Sequence, residues 1–242
     1  MNRNVRNKVN YLLGFLISVL LFPVLLVTGI QLTAFDKNFY ANQYEQLNTA
    51  ETIGISQEDL SRVTGELLDY IRGSRASLDG IEAEIKGELR PVFNDREKAH
   101  MVDVKKLFEF ASEVRNLSAV GILLLCIVLY FSSGRHPLRF FVASYLAAAA
   151  CLLVLLAVLI PLVQSNFTYY WDQFHYLFFD NDLWILNPET DIMIQMVPEP
   201  FFNHAVIRVI SFFAGGSILV GLLSLGMLRH IRRKGKEKNA IG

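Results

Sequence analysis

The chain has 242 residues, 52% of them apolar, with a mean hydropathy of +0.34 and 23 acidic against 23 basic side chains. A balanced charge on so apolar a chain means that polar and apolar stretches are segregated, as in a membrane protein, and it gives no hint of a nucleic-acid partner. Neither cysteine, Cys126 or Cys151, belongs to a CxxC pair, and both fall among Leu and Val, so they read as core residues rather than a disulfide framework or a thiolate site.

A helix needs about 20 mostly apolar residues to cross roughly 30 Å of hydrocarbon. Four stretches qualify, near Tyr11–Leu32, Asn116–Ser133, Phe141–Val163 and His204–Leu228. Each is expected to be helical despite Pro23 in the first and Gly215-Gly216 in the last, because lipid offers backbone amides no partner. The first follows Arg3, Arg6 and Lys8, but its apolar run exceeds a signal core and no small-x-small site follows, so it reads as an uncleaved helix. Basic residues gather at Arg135 and Arg139 and in the tail at Arg229, Arg232, Arg233, Lys234, Lys236 and Lys238, whereas Gln164–Asn203 holds six acids and no Lys or Arg. The positive-inside rule then puts both termini in the cytoplasm. The expectation is an all-α membrane protein of four transmembrane helices with a small helical extracellular cap and an aromatic re-entrant or interfacial loop. Its segments are 1–33 (N-terminus and first span), 34–115 (cap), 116–163 (spans two and three), 164–203 (aromatic loop) and 204–242 (fourth span and basic tail).

Within the cap, Ser56 precedes Gln57-Glu58-Asp59, and Leu60, Val63, Leu67, Leu68 and Ile71 then recur at helical spacing, predicting a capped helix that Gly73-Ser74 ends. Ile81, Ile85 and Leu89 predict a second helix over Ile81–Leu89, stopped at Arg90-Pro91. Asn94 starts a third, with Asp95 and Glu97 in its first turn and His100, Val104, Leu107, Phe108 and Ala111 on one face. That face would lie along the membrane surface, with a continuation of the helix straight into span two left open. Further on, nine of the 18 residues from Phe167 to Trp184 are aromatic, which suits the headgroup level. Asn187-Pro188-Glu189-Thr190 reads as the start of a short helix carrying Met193, Ile194 and Val197, terminated by Pro198 and Pro200.

Two histidines, His100 and His175, fall in polar segments on the same side of the predicted membrane. Around His100 lie Arg96, Glu97 and Asp103 within a helical turn; a carboxylate on one ring nitrogen would fix the tautomer. His175 lies between Phe174 and Tyr176 with Asp172 before it, where burial should keep the imidazole neutral. Arg208 is a charge inside the fourth span that must be paired, with Glu199, Asp182 and Asp191 as candidates, or snorkel to the nearby outer surface; His204 reads as interfacial. A metal site from His100, Asp103, His175 and Asp182 is conceivable, although no H-E-x-x-H is present. GxSxG, Walker and dinucleotide loops are absent.

Three blocks carry a resemblance. They are Arg96-Glu97-x-x-His100-Met101-x-Asp103-Val104-Lys105, then Phe174-His175-x-x-Phe178-Phe179-x-Asn181-Asp182-x-Trp184-x-Leu186-x-Pro188-x-Thr190-Asp191, and Pro198-Glu199-x-Phe201-Phe202. Together with the four-span layout, the chain resembles the lipoprotein intramolecular transacylases of Gram-positive bacteria, least so over Lys37–Leu89. The resemblance implies a cell-membrane acyltransferase whose partners are diacylated lipoprotein and membrane lipid. It would move the sn-2 acyl chain of the diacylglyceryl group onto the α-amine of the modified cysteine, using two histidines that match His100 and His175. No cofactor is expected, because converting an ester to an amide runs downhill. His175 is the favoured base and His100, oriented by Glu97 or Asp103, the acid or electrostatic partner, with the reverse assignment open. Arg208, Asn181 and Trp184 are candidate oxyanion donors. The alternatives are a non-enzymatic membrane sensor or assembly subunit, and a metal-dependent membrane hydrolase.

Overall fold

The computed structural model describes residues 2–134 and 137–241, with side chains through residue 231 and at residue 233. Arg135 lies outside the described residues, as do the side chains of Arg232, Lys234, Lys236 and Lys238. In chain order the elements are α1 (Arg3–Ala34), α2 (Lys37–Gln46), α3 (Thr49–Ile53), α4 (Gln57–Arg72), β1 (Glu82–Ile85) and β2 (Glu88–Pro91). They continue with α5 (Asp95–Ser133), α6 (Pro137–Ser165), α7 (Phe167–Phe178), α8 (Ile192–Met196) and α9 (Glu199–Ile241). Four of these, α1, α5, α6 and α9, are long and apolar enough to cross a membrane. The chain divides into two compact units, one of Met1–Gly29, Glu113–Ser165 and Val209–Gly242, the other of Ile30–Ser112 and Asn166–Arg208.

In the first unit the usual order of burial is reversed. Leu117, Leu123, Phe131, Leu153, Val154 and Leu222 point outward, while Asn10, Ser18, Ser144 and Ser224 are buried. In lipid, apolar side chains gain little by hiding from their surroundings, so helices associate through close packing and hydrogen bonds. Helix α1 supplies much of both. A Cβ on Gly14 would stand 2.9 Å from the Phe140 carbonyl oxygen, so the α1 and α6 backbones nearly touch there. Ser144 donates to the Tyr11 carbonyl at 2.8 Å beside it, Ser132 of α5 donates to Asn10, and Tyr145 of α6 donates to the Ser217 carbonyl of α9 at 2.6 Å. Cys126 and Cys151 do lie in membrane helices, α5 and α6, but both are exposed rather than in a core. They are lipid-compatible apolar side chains on the outer faces.

The second unit has an apolar core in the ordinary sense, built from Phe39, Tyr44, Ile53, Leu60, Val63, Leu68, Ile81, Phe93, Met193 and Met196, among others. Helix α4 forms as its sequence predicts, with Ser56 Oγ accepting the Asp59 N–H at 3.0 Å and Gly73 closing it at φ 85°. The helix expected over Ile81–Leu89 is instead a hairpin. Apolar residues four apart satisfy a helical stripe, but Ala83 and Ile85 alternate inward against outward Glu82 and Glu84, and Lys86-Gly87 turns the chain with φ 54° and 84°. Two successive positive φ angles define the tight turn that matches strand twist. Helix α5 begins at Asp95 and is unbroken to Ser133, so the His100 helix does continue into the second apolar stretch as one long element. The aromatic run is also a helix, α7, and not a loop through Phe178. Asn187 does not open α8; Asp191 occupies its N-cap, and Pro200 sits in the first turn of α9 rather than ending a helix.

Candidate active site

The second unit brings His100 and His175 together, with ring centroids 6.2 Å apart at an interplanar angle of 38°. Each is over nine-tenths buried. They arrive from two helices whose placement follows from separate local devices.

Helix α5 is fixed at its start. The Glu97 N–H donates to Asn94 Oδ1 at 3.0 Å while the Asn94 N–H donates to Glu97 Oε2 at 2.7 Å, a reciprocal cap that satisfies two otherwise orphaned donors. The other Glu97 oxygen accepts the Met193 N–H at 2.7 Å and so ties α5 to α8. Asn94 Nδ2 donates to Asp191 Oδ1 at 3.0 Å, and Asp191 Oδ2 accepts the Asn187 N–H at 2.8 Å. Glu97 therefore does not orient His100, contrary to one expectation; its carboxylate is used up in the cap. Burial raises its pKa, against the pull of the Met193 and Asn94 N–H groups.

Helix α7 is capped by Asn166, whose side chain accepts the Tyr169 N–H. Thr168 donates to Glu199 at 2.8 Å and Trp171 packs on Phe202 at 4.3 Å, anchoring α7 to the start of α9. His175 Nδ1 lies 2.8 Å from the Trp171 carbonyl oxygen, one turn back on the same helix. Because a carbonyl only accepts, Nδ1 carries the hydrogen and Nε2 keeps its lone pair.

A short connection spans the two helices. Arg96, His100 and Asp103 share one stripe of α5. Arg96 donates to the Ile185 carbonyl at 3.2 Å and to the Asp182 carbonyl, with the Asp182 carboxylate 3.4 Å away, and Asp103 accepts from Asn181 at 2.9 Å. The segment held in this way delivers Trp184, whose ring stacks on His175 at 4.6 Å and 21°. Phe179 touches both imidazoles, at 5.4 Å from His100 and 5.7 Å from His175.

The electrostatics follow from this apolar setting. Desolvation, then repulsion from His175, pushes His100 down to about 4, against a smaller pull from Asp103. Desolvation also lowers His175, although the Trp171 carbonyl and Asp172 favour its charged form. Both rings are neutral at pH 7. Among the described residues no carboxylate hydrogen-bonds His100, and its Nδ1 is buried without a partner. Among the described residues no three of His, Cys, Asp and Glu converge as a metal ion would require.

Arg208 pairs with Asp36 at 2.5 Å and lies over the Phe39 ring, so the acidic partner is one other than the expected Glu199, Asp182 and Asp191. Its hydrogen bond holds Asp36 below the usual carboxylate range. Asp36 is 172 positions away in sequence, beyond any local rule. His204 meets Gln43 at 2.5 Å and takes no part in the pair. Nothing in the sequence marked Trp171 as a support of the site; Phe179 stood only within a resemblance block, and Asn94 only as a helix start, where the Asn94-x-x-Glu97 spacing was the usable signal.

The family model for the lipoprotein intramolecular transacylase Lit matches residues 15–202. The chain belongs to that family. It is accordingly a membrane-integral acyltransferase that modifies lipoproteins. Among solved structures, that of the membrane-integral lipoprotein intramolecular transacylase Lit from Bacillus cereus shares its fold, with a TM-score of 0.71 and 22% identity over 95% of this chain and 99% of that one. A variant of the Bacillus cereus protein with one histidine changed to alanine gives a TM-score of 0.73 at 22% identity, over 96% and 100% of the two chains. Another, with histidine changed to arginine, gives 0.72 at 21%, over 96% and 97%. No curated protein matches this transacylase.

Proposed function

We propose that His175 and His100 move the sn-2 acyl chain of a diacylglyceryl-modified lipoprotein onto the α-amine of its modified cysteine, at the extracellular leaflet, leaving the lyso form. The observation that carries this reading is the pair itself: two buried neutral imidazoles 6.2 Å apart, one with its tautomer set by the Trp171 carbonyl.

The α-amine has a pKa of about 7.7–8.0, so a useful fraction is unprotonated near neutrality. Its nitrogen attacks the ester carbonyl carbon, the C–N bond forms, and the carbonyl electrons move onto oxygen. His175 Nε2 takes the surplus proton from nitrogen. The tetrahedral centre then collapses, the bond to the glycerol oxygen breaks, and the imidazolium of His175 returns its proton to that oxygen. One histidine thus closes the proton balance.

His100 has a different part. At a pKa of about 4 it is not an imidazolium at neutral pH, and losing a proton from the neutral ring would demand an imidazolate. With Nδ1 unpartnered and buried, the hydrogen is better placed on Nε2, since an unmet N–H is the costlier orphan. A neutral imidazole of this kind acts as an electrophile, donating a hydrogen bond to the developing oxyanion. Of the two sequence expectations, the electrostatic role for His100 is therefore favoured over the acid. Because donor and acceptor belong to one molecule, proximity replaces a second binding event, and the aromatic walls of Trp171, Phe179 and Trp184 disfavour water.

The test is mass spectrometry of a diacylated lipopeptide incubated with purified enzyme. The total mass should be unchanged, with one acyl group relocated from glycerol to nitrogen, and His175→Ala should abolish the conversion at unchanged membrane level. Release of free fatty acid would identify a hydrolase, and full conversion by His175→Ala would remove the base.

A further inference from the structure

An oxyanion in a site this dry needs more than one donor, and the sequence offers Arg208, Asn181 and Trp184 besides His100. The structure sorts them. Arg208 is engaged by Asp36 and lies over Phe39. Asn181 spends its amide on Asp103, which holds the connecting segment to α5. Arg96, a cation one turn before His100, donates to two carbonyls of that same segment.

Trp184 differs from all of these. Its indole Nε1 is buried and has no acceptor among the described residues. Its ring lies parallel to His175 at 4.6 Å, while Tyr176 meets its edge at 5.1 Å. An indole N–H only donates, and a buried one normally finds a partner. Leaving it unmet is unfavourable, so its retention against the base fits a group that is satisfied when an acceptor arrives. Another buried atom without a partner among the described residues, His100 Nδ1, belongs to the other ring beside His175. The positions of Arg96 and Asp103, one turn to either side of His100, keep the segment that carries Trp184 from drifting.

We infer that Trp184 is a further catalytic residue, whose indole N–H donates to the ester carbonyl oxygen of the lipid as that oxygen becomes an oxyanion beside His175. This rests on the acyl-transfer reading above, in which His175 is the base. The hydrogen bond forms as the C–N bond forms and is released when the bond to glycerol breaks; Trp184 itself gains and loses no proton.

Trp184→Phe removes the N–H and keeps a stacking ring, and 3-benzothienylalanine in place of Trp184 keeps the full bicyclic shape with sulfur where the N–H stood. Both are assayed on a diacylated lipopeptide and on its thionoester counterpart, in which the sn-2 carbonyl oxygen is sulfur, a weak acceptor. On the oxygen ester each variant should lower kcat about 100-fold with little change in KM, the size of effect seen when one oxyanion donor is lost. On the thionoester the loss should shrink to a few-fold. Equal losses on both esters would mean a packing role, and no loss on either would mean that the N–H never meets the carbonyl; both overturn the inference. His175→Ala is run alongside. If it is inactive on both esters while Trp184→Phe is unimpaired, Trp184 fails and the acyl-transfer reading stands; if it is active, the reading itself fails.

Discussion

Lowering the pH should weaken the fold of the site through His100 by a predictable amount. The ring lies in the polar first turns of α5, more than nine-tenths buried, with Asp103 as its one nearby counter-charge and His175 as a rival. Its pKa falls from 6.5 in an open chain to about 4 in the folded protein. Between those values the unfolded chain binds a proton that the folded one refuses, so stability rises with pH across that window and is progressively lost as pH drops through it. At 1.36 kcal/mol per unit, a gap of about 2.5 units corresponds to roughly 3 kcal/mol lost by pH 4. Other groups titrate in the same range, so the comparison is with His100→Asn, which keeps a polar side chain and does not titrate. Both tryptophans, Trp171 and Trp184, touch His175, which makes intrinsic fluorescence a reporter of this unit during denaturant unfolding in detergent. The difference in unfolding free energy between wild type and variant should close by roughly 3 kcal/mol from pH 7 to pH 4. Parallel curves over that range would show that His100 titrates normally, and its assignment as a neutral donor would fall with them.

Three further outcomes are expected. Glu97→Ala strips the acceptor from the Asn94 and Met193 N–H groups, and with about 1–3 kcal/mol for each of the two unmet donors it should cost about 2–6 kcal/mol, seen as a lowered unfolding midpoint. Gly14→Ala forces a methyl group against the Phe140 carbonyl, so thermal unfolding in detergent should show a loss of about 1–3 kcal/mol, with kcat unchanged per folded molecule. The pH profile of kcat/KM should rise to a plateau near pH 8, set by the substrate amine rather than by either imidazole, because both rings are already neutral below their ordinary pKa of about 6.5. A lipopeptide with a less basic amine should move that limb to lower pH, and an unmoved limb would return it to the enzyme.

The parts of this chain that could be read in advance are those governed by local rules. The long apolar helices were legible because hydrocarbon tolerates little else, and α4 because Ser56 and Gly73 mark its ends. The hairpin was not: Ile81, Ile85 and Leu89 fit a helical stripe as well as a strand, and the Lys86-Gly87 turn decides between them. Helix α7 hid because a run of aromatics has no polar face to show a period, yet Asn166 and the packing on Phe202 make it helical. For the site, both histidines stood out by residue type and side. Their supports did not. Glu97 looked like a partner for His100 and is instead a helix cap, and Arg208 found Asp36 across most of the chain. Trp171 acts through its carbonyl, a group every residue possesses, so no side-chain pattern could have singled it out.

That carbonyl has one more consequence. An imidazole oriented by a group on its own helix travels with its orienter, so any displacement of α7 as a unit would leave the tautomer of His175 unchanged. The distance between the two imidazoles is instead set between helices, so on the proposed mechanism mutations that spread α5 from α7 should abolish conversion while leaving the Trp171–His175 hydrogen bond intact.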